Sequence, residues 1–227
     1  MTQEEKNIGK KSAAEKAVEF VKDRMTVGLG SGSTVFFAIK KLGEQVRGGL
    51  NIKTVSTSDT TTQLAQSEGI KLTSIDEAGE IDLTIDGADE VDRSFNGIKG
   101  GGGALLFEKI VALSSKKNIW IVDSTKLVDK LGKFPLPVEI IPFGYKRVFK
   151  LIEEMNLNPV IRKKNDEFYF TDSGNLIFDL HIGEVRDPED MDKELKLING
   201  VVETGLFINI ADVIISGRNN STEIINK

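Results

Sequence analysis

The sequence predicts an α/β fold: a Rossmann-like, mostly parallel sheet domain with a smaller inserted ferredoxin-like α+β domain. Three observations point there. From the N-terminus to about residue 122, short apolar runs alternate with segments of helical periodicity, the pattern of βαβ units. Beyond Phe134-Pro135-Leu136-Pro137 the order becomes β-α-β-β-α-β, the split βαβ arrangement. A last apolar run at 211–216 then returns to the first sheet. These signals place the larger domain at 1–131 and 208–227 and the smaller one at 132–207.

The elements follow in order. Ser12-Ala13-Ala14-Glu15 has the form of a capping box, and Ala14, Ala17, Val18 and Val21 recur at helical spacing. A strand ends in Val27-Gly28-Leu29-Gly30, and a helix follows the Ser/Gly loop over 35–42. Residues 52–55 read as a strand, and Ser58 caps a helix containing Leu64 and Ala65. Strands at 81–85 and 119–122 enclose an apolar helix at about 104–113. In the smaller domain the spacing predicts strands at 138–141, 158–162, 176–181 and 201–207, with helices at 146–154 and 188–197.

Composition narrows the chemistry. With 227 residues there is ample apolar material for a core. A net charge of -5 argues against broad nucleic-acid binding, which relies on clustered Lys and Arg. Cysteine is absent, which removes disulfides, thiolate metal sites and a cysteine nucleophile. The single histidine, His181, ends a strand of the smaller domain and reads as structural; Trp120 reads as core. The N-terminus lacks a secretory h-region and no apolar run is long enough to span a bilayer, so the expectation is a cytoplasmic chain with no membrane or nucleic-acid partner.

Four polar clusters each follow directly on an expected strand: 31–34, 57–60, 86–89 and 123–126. In an open parallel sheet the ligand crevice lies at the carboxyl ends of the strands, so these would line one rim. The plain alternative is that βα turns are polar in any case. Gly28-Leu29-Gly30-Ser31-Gly32-Ser33-Thr34 is a strand–loop–helix junction suited to an anion. Ser33 replaces the last glycine of a dinucleotide loop and no Lys precedes Ser33-Thr34, so a phosphate monoester fits better than NAD or ATP.

Asp86 and Asp89, with Glu90 and Asp92 nearby, can be read as an acid–base pair, as a Mg²⁺ site or as a solvated turn. Lys99 precedes four glycines, Gly100 to Gly103, a run that yields so much backbone freedom only where conformation or close approach demands it. Lys99 and Lys126 can each face an oxyanion or a phosphate. Glu108 has Ala104, Leu105, Val111 and Ala112 at helical spacing. Such an apolar setting suits a general base, while the nearby helix N-terminus acts in the opposite direction. Lys109 has equally apolar neighbours, and a buried Glu108–Lys109 ion pair is the structural alternative.

Taken together, these segments resemble ribose-5-phosphate isomerase of the A type. The matching pieces are 28–34, Ser58-Asp59, Asp86-Gly87-Ala88-Asp89-Glu90, 99–103 with Glu108, 131–139, and Val201-Val202-Glu203-Thr204-Gly205-Leu206-Phe207. The resemblance implies interconversion of ribose 5-phosphate and ribulose 5-phosphate in the non-oxidative pentose phosphate pathway, with no metal and no cofactor. It implies Glu108 as general base through an enediolate and Asp86 as an aid to ring opening. Asp89 and Lys99 would position oxygens and stabilise charge. Ser31, Gly32, Ser33, Thr34, Gly87, Ala88, Gly100, Gly101, Gly102 and Lys126 would contact the sugar phosphate. It further implies a homodimer or homotetramer. Ser31 stands where the family commonly has threonine, and Gly103 where relatives often carry alanine, a change expected to affect loop flexibility more than chemistry. A sugar-phosphate sensor would keep the loop without needing Glu108 and Asp86, and an NAD-dependent oxidoreductase is disfavoured by the missing third glycine.

Overall fold

The computed structural model describes residues 1–227. In chain order the first elements are α1 (Gln3–Val18), β1 (Thr26–Leu29), α2 (Val35–Arg47), β2 (Lys53–Ser56), α3 (Asp59–Ser67) and a single turn α4 (Ile75–Ala78). Then come β3 (Leu83–Gly87), β4 (Glu90–Val91), β5 (Gly97–Ile98), α5 (Leu105–Leu113) and β6 (Asn118–Asp123). The middle of the chain forms β7 (Leu136–Ile140), α6 (Tyr145–Glu154), β8 (Pro159–Ile161), the hairpin β9 (Lys163–Lys164) and β10 (Glu167–Phe168), and β11 (Leu176–Leu180). It closes with α7 (Pro188–Lys196), β12 (Val201–Thr204), β13 (Leu206–Phe207), β14 (Val213–Arg218) and β15 (Ser221–Asn226).

Two compact units result. The first comprises 1–88, 107–127 and 210–227; the second comprises 89–106 and 128–209. Residues 89–106, which the sequence assigns to the larger domain, group with the second unit. The cause is the pairing of β5 with both β4 and β13, the last of which comes from far down the chain.

The first unit is a six-stranded sheet in the order β15-β14-β6-β3-β1-β2. All pairings are parallel except β14 with the edge strand β15. The interior strands are largely apolar, as a sheet covered on both faces requires, and β1 and β6 are buried at every residue. Helices α1 and α2 supply Ala13, Ala14, Ala17, Val18, Val35, Ala38, Ile39 and Leu42 to this core. Trp120 is 1% exposed, the core position its strand predicts.

Helix α1 starts earlier than the sequence suggests. Its capping box is Thr2 with Glu5, each side chain bonded to the other's backbone, rather than Ser12 with Glu15. Ser12 lies mid-helix and donates to the carbonyl of Asn219. The N-cap Ser58 of α3 is where the sequence puts it, accepting from the amide of Thr61. Gly9 and Gly217 bring α1 and β14 into backbone contact: a Cβ on Gly217 would sit 1.9 Å from the carbonyl oxygen of Gly9.

The second unit holds a four-stranded antiparallel sheet in the order β12-β7-β11-β8. With α6 after β7 and α7 after β11, the chain order is β-α-β-β-α-β, interrupted only by the β9–β10 hairpin. Its core gathers Leu136, Val138, Ile140, Ile152, Phe178, Leu180 and Leu195. The three-stranded sheet β13-β5-β4 completes the unit.

Candidate functional site

Strand β1 lies between β2 and β3, so the winding of the sheet reverses between β1 and β3. A crevice at the carboxyl ends of two such strands is where open α/β sheets bind ligands. The four polar clusters occupy the carboxyl ends of β1, β2, β3 and β6, which are neighbours in the sheet. At the reversal the amide of Gly30 donates to the carbonyl of Ile85 at 3.0 Å, and that of Ser31 donates to Asp86 Oδ1 at 3.2 Å. Asp86 Oδ1 also accepts from the amide of Gly87 at 2.7 Å, and the residue is 1% exposed. Gly30 has to be glycine here, because a Cβ would lie 1.8 Å from Asp86 Oδ1.

The loop after β1 is shaped by Gly32 at φ +105°, a backbone angle that side chains resist. Ser31 Oγ lies within hydrogen-bond distance of the hydroxyls of Thr57, Ser58 and Thr61, at 2.9, 2.7 and 3.2 Å. Thr61 in turn donates to the carbonyl of Gly30 at 2.8 Å. The serine thus fixes the loop through its side chain. Thr34 is buried at the start of α2, with its backbone already helical. A cavity of about 420 Å³ opens beside Gly32 and Ser33, but Phe36, Phe37, Ile39 and Leu64 make it largely apolar.

A lysine that the motif reading missed joins this loop. Lys10 of α1 is 8% exposed, and its ammonium donates to Ser33 Oγ at 3.0 Å. Burial lowers its pKa, and the positive charge of Lys126 lowers it further, against the pull of Asp123. Lys126 donates to the carbonyl of Ala88 at 2.7 Å. Two ammonium groups close enough to repel, beside a serine-rich loop at a helix N-terminus, form an arrangement that an anion relieves. The signal was in the sequence: Lys10, Ala13, Ala14 and Ala17 share one helical stripe, and a lysine interrupting a buried stripe needs a reason.

The acidic run divides by role. Glu90 is 4% exposed and accepts from the amides of Gly132 and Phe134, both at 2.7 Å, so it ties the 132–134 loop to β4. Asp92 accepts from the amides of Ser94 and Asn96 and closes a turn. Asp89 Oδ2 accepts from the amide of Gly101 at 2.7 Å. Lys99 is 2% exposed, with its ammonium 5.1 Å from the centre of the Phe207 ring. The glycine loop bends at Gly100 and Gly103, with φ of +102° and +87°. Gly103 is more than a flexible alanine, since a Cβ there would meet Tyr169 Oη at 2.2 Å.

Glu108 sits in the first turn of α5 and is 4% exposed; Lys109 is 3% exposed. On the same helix Phe107, Ile110 and Leu113 are 38%, 44% and 69% exposed. Packing alone favours the reverse arrangement. Helix α5 buries Glu108 and Lys109 alongside Leu105, Val111 and Ala112 while leaving Phe107, Ile110 and Leu113 exposed, and charges buried at such a cost call for a use inside.

Residues 53–221 match the family model described as "Ribose 5-phosphate isomerase A (phosphoriboisomerase A)". The ribose-5-phosphate isomerase A of Listeria monocytogenes serotype 4b is 50% identical over 220 residues, 96% of this chain and 98% of its own. The chain belongs to the ribose-5-phosphate isomerase A family. The isomerase of Lactiplantibacillus plantarum is 51% identical over 217 residues, covering 95% of this chain and 96% of its own. Among solved structures, a D-ribose-5-phosphate isomerase in complex with phospho-erythronic acid superposes with a TM-score of 0.94 at 40% identity, covering all of both chains. The ribose 5-phosphate isomerase A of Methanocaldococcus jannaschii gives 0.91 at 38% identity, covering 96% of this chain and 98% of its own. The fold class expected from the sequence is that of the isomerase family, an α/β protein around a mostly parallel central sheet.

Proposed function

We propose that this isomerase, which interconverts ribose 5-phosphate and ribulose 5-phosphate as its family does, uses Glu108 as the base. In the aldose-to-ketose direction Glu108 takes the proton from C2, and negative charge develops on the aldehyde oxygen. The resulting enediolate is reprotonated at C1, while the proton of the C2 hydroxyl passes to the C1 oxygen. A proton beside a carbonyl is only weakly acidic, so base and oxyanion stabilisation must act together. Asp86 assists opening of the sugar ring. Asp89 and Lys99 position the oxygens and offset the developing charge, with the amides and carbonyls of Gly87, Ala88, Gly100, Gly101 and Gly102 as further contacts.

The phosphate binds to the 31–34 loop and Lys126, with Lys10 as an added partner. The relative in complex with phospho-erythronic acid supports a phosphorylated, sugar-sized ligand. The observation that carries the base assignment is the burial of Glu108 in the first turn of α5, while Phe107 and Ile110 of the same helix stay exposed. No group of three or more His, Asp or Glu side chains is placed to hold an ion, and the proposed steps need neither metal nor cofactor.

Two further proposals concern the setting. The exposed Phe107, Ile110 and Leu113 support pairing with a second copy, as a homodimer or the dimer within a homotetramer. No helix is long and apolar enough to cross a membrane, and the enzyme is proposed to work in the cytoplasm without nucleic-acid partners. The test of the whole reading is formation of ribulose 5-phosphate from ribose 5-phosphate in the presence of a chelator. Full activity is expected; loss with chelator would overturn the metal-free mechanism, and no product at all would overturn the reaction.

A further inference from the structure

The glycine loop is held from a direction that its motif does not reveal. Arg162, just past β8, donates from Nη1 to the carbonyls of Gly100 at 2.8 Å and Gly101 at 3.2 Å. The same guanidinium is anchored to Asp179 of β11, its Nε donating to Oδ2 at 2.9 Å and its Nη2 to Oδ1. Both side chains are mostly buried, at 14% and 19% exposed. The ring centre of Tyr169 lies 5.9 Å from the guanidinium carbon, and its hydroxyl donates to the carbonyl of Gly102 at 3.2 Å. Three successive loop carbonyls are therefore taken by two side chains of one strand region.

The carbonyl of Gly100 and the amide of Gly101 belong to a single peptide group. Arg162 binds its oxygen, and its N–H is donated to Asp89 Oδ2 at 2.7 Å. The order is Asp179, Arg162, the 100–101 peptide, Asp89. A cation on the carbonyl oxygen polarises the peptide and strengthens the bond that its N–H gives to the carboxylate. The peptide's plane is also fixed, which fixes where the Asp89 carboxylate points. Lys99 is one residue from that peptide, and its own amide donates to the carbonyl of Gly205 at 2.9 Å.

We propose that Arg162, seated by Asp179 and flanked by Tyr169, is a positioning residue of the isomerase, acting through the Gly100–Gly101 peptide on Asp89. The inference rests on the roles given above to Asp89 and Lys99. A surface ion pair would contribute little, but this one is turned onto the backbone of a catalytic loop. Lysine cannot replace arginine in it, because an ammonium lacks the planar fork that binds Asp179 and the two carbonyls together.

The test is a double-mutant cycle on kcat, with inorganic phosphate as competitive inhibitor to report the phosphate subsite. Arg162→Lys keeps the charge beside Asp179 and should stay folded, yet lower kcat about tenfold to a hundredfold, as small misplacements of catalytic groups do. Its inhibition constant for phosphate should be unchanged. Tyr169→Phe should give a smaller loss of the same kind. In an Asp89→Asn background, Arg162→Lys should cost almost nothing further, because the two substitutions break one chain of interactions. A merely structural arginine would lower kcat equally in both backgrounds. That additive result, or a kcat for Arg162→Lys equal to the parent's, overturns the proposal. Absence of isomerisation by the parent enzyme would instead strike the reaction itself, so the two failures are told apart.

Discussion

Replacing Gly30 with alanine tests how tightly the sheet reversal sets Asp86. The new Cβ would lie 1.8 Å from Asp86 Oδ1, 2.0 Å from its carboxyl carbon and 2.6 Å from its Cβ. Ordinary contact begins near 3.4 Å, so the nearest pair is about 1.6 Å too close. Rotating the carboxylate does not relieve this, because the Asp86 Cβ is itself in the way. Turning it would also break the bonds from the amides of Ser31 and Gly87. Backbone of β1 or β3 must therefore move, and overpacking of this kind costs about 1–3 kcal/mol. A displacement near 1 Å at a catalytic group is enough for a loss of about a hundredfold. The assay is the initial rate of ribulose 5-phosphate formation at saturating substrate, beside a thermal melt. A kcat about a hundredfold down with a folded melt is expected. A folded variant with kcat within about threefold of the parent would refute the idea that Gly30 is required by Asp86.

The remaining predictions are more direct. Glu108→Gln should lower kcat by about 10²–10⁴-fold, the usual worth of a general base, with inhibition by inorganic phosphate intact; near-normal turnover would sink the base assignment. Lys10→Ala and Lys126→Ala should each raise KM about tenfold or more, as loss of a charge-assisted phosphate contact does, with less effect on kcat; an unchanged KM removes that lysine from the subsite. Because the Lys10 pKa is lowered by burial and by Lys126, its charge is lost below the ordinary lysine range. KM should then climb with pH in that region, and climb less in Lys10→Arg. Glu139 is 1% exposed, its pKa is raised by burial, and its Oε2 has no hydrogen-bond partner. A raised folded pKa means that stability is greatest below the unfolded value and falls as pH rises toward the folded one. Glu139→Gln, which keeps an acceptor for Thr171 and Asn175, should flatten that fall; thermal melts against pH that decline as steeply as the parent's would count against it.

The rim of the first sheet was readable because parallel strands sort residues by position. Whatever follows Leu29, Ser56, Gly87 and Asp123 ends up on one edge, so polar residues there announce a site before any contact is known. The second unit's contribution was not readable in that way. β4, β5 and β13 are two residues each, too short to carry a period of two. Their pairing is what draws Asp89 and Lys99 out of the larger domain's sequence range. Strand β15 is an exposed to half-buried edge strand whose only apolar residues, Ile224 and Ile225, are adjacent, so it lacks the apolar run that revealed its neighbours. The brace from Arg162 to Gly100 joins residues 62 apart, and no local pattern encodes it. Ser12 misled because a capping box is only four residues long, and the interior of an alanine-rich helix can contain one by chance.

The backbone contact between Gly9 and Gly217 also sets an order of events. Lys10 follows Gly9 in α1, and Gly9 packs against Gly217 of β14, a strand far along the sequence. During synthesis from the N-terminus, α1 can coil early and pack on α2 and β6, but the β14 part of its seat does not exist until that strand emerges. Lys10, the proposed phosphate contact, is thus made well before the strand that completes its seat. A chain stalled before residue 213 would carry Glu108, Asp86 and the serine loop with Lys10 only partly seated, so sugar-phosphate binding should mature only once β14 is in place.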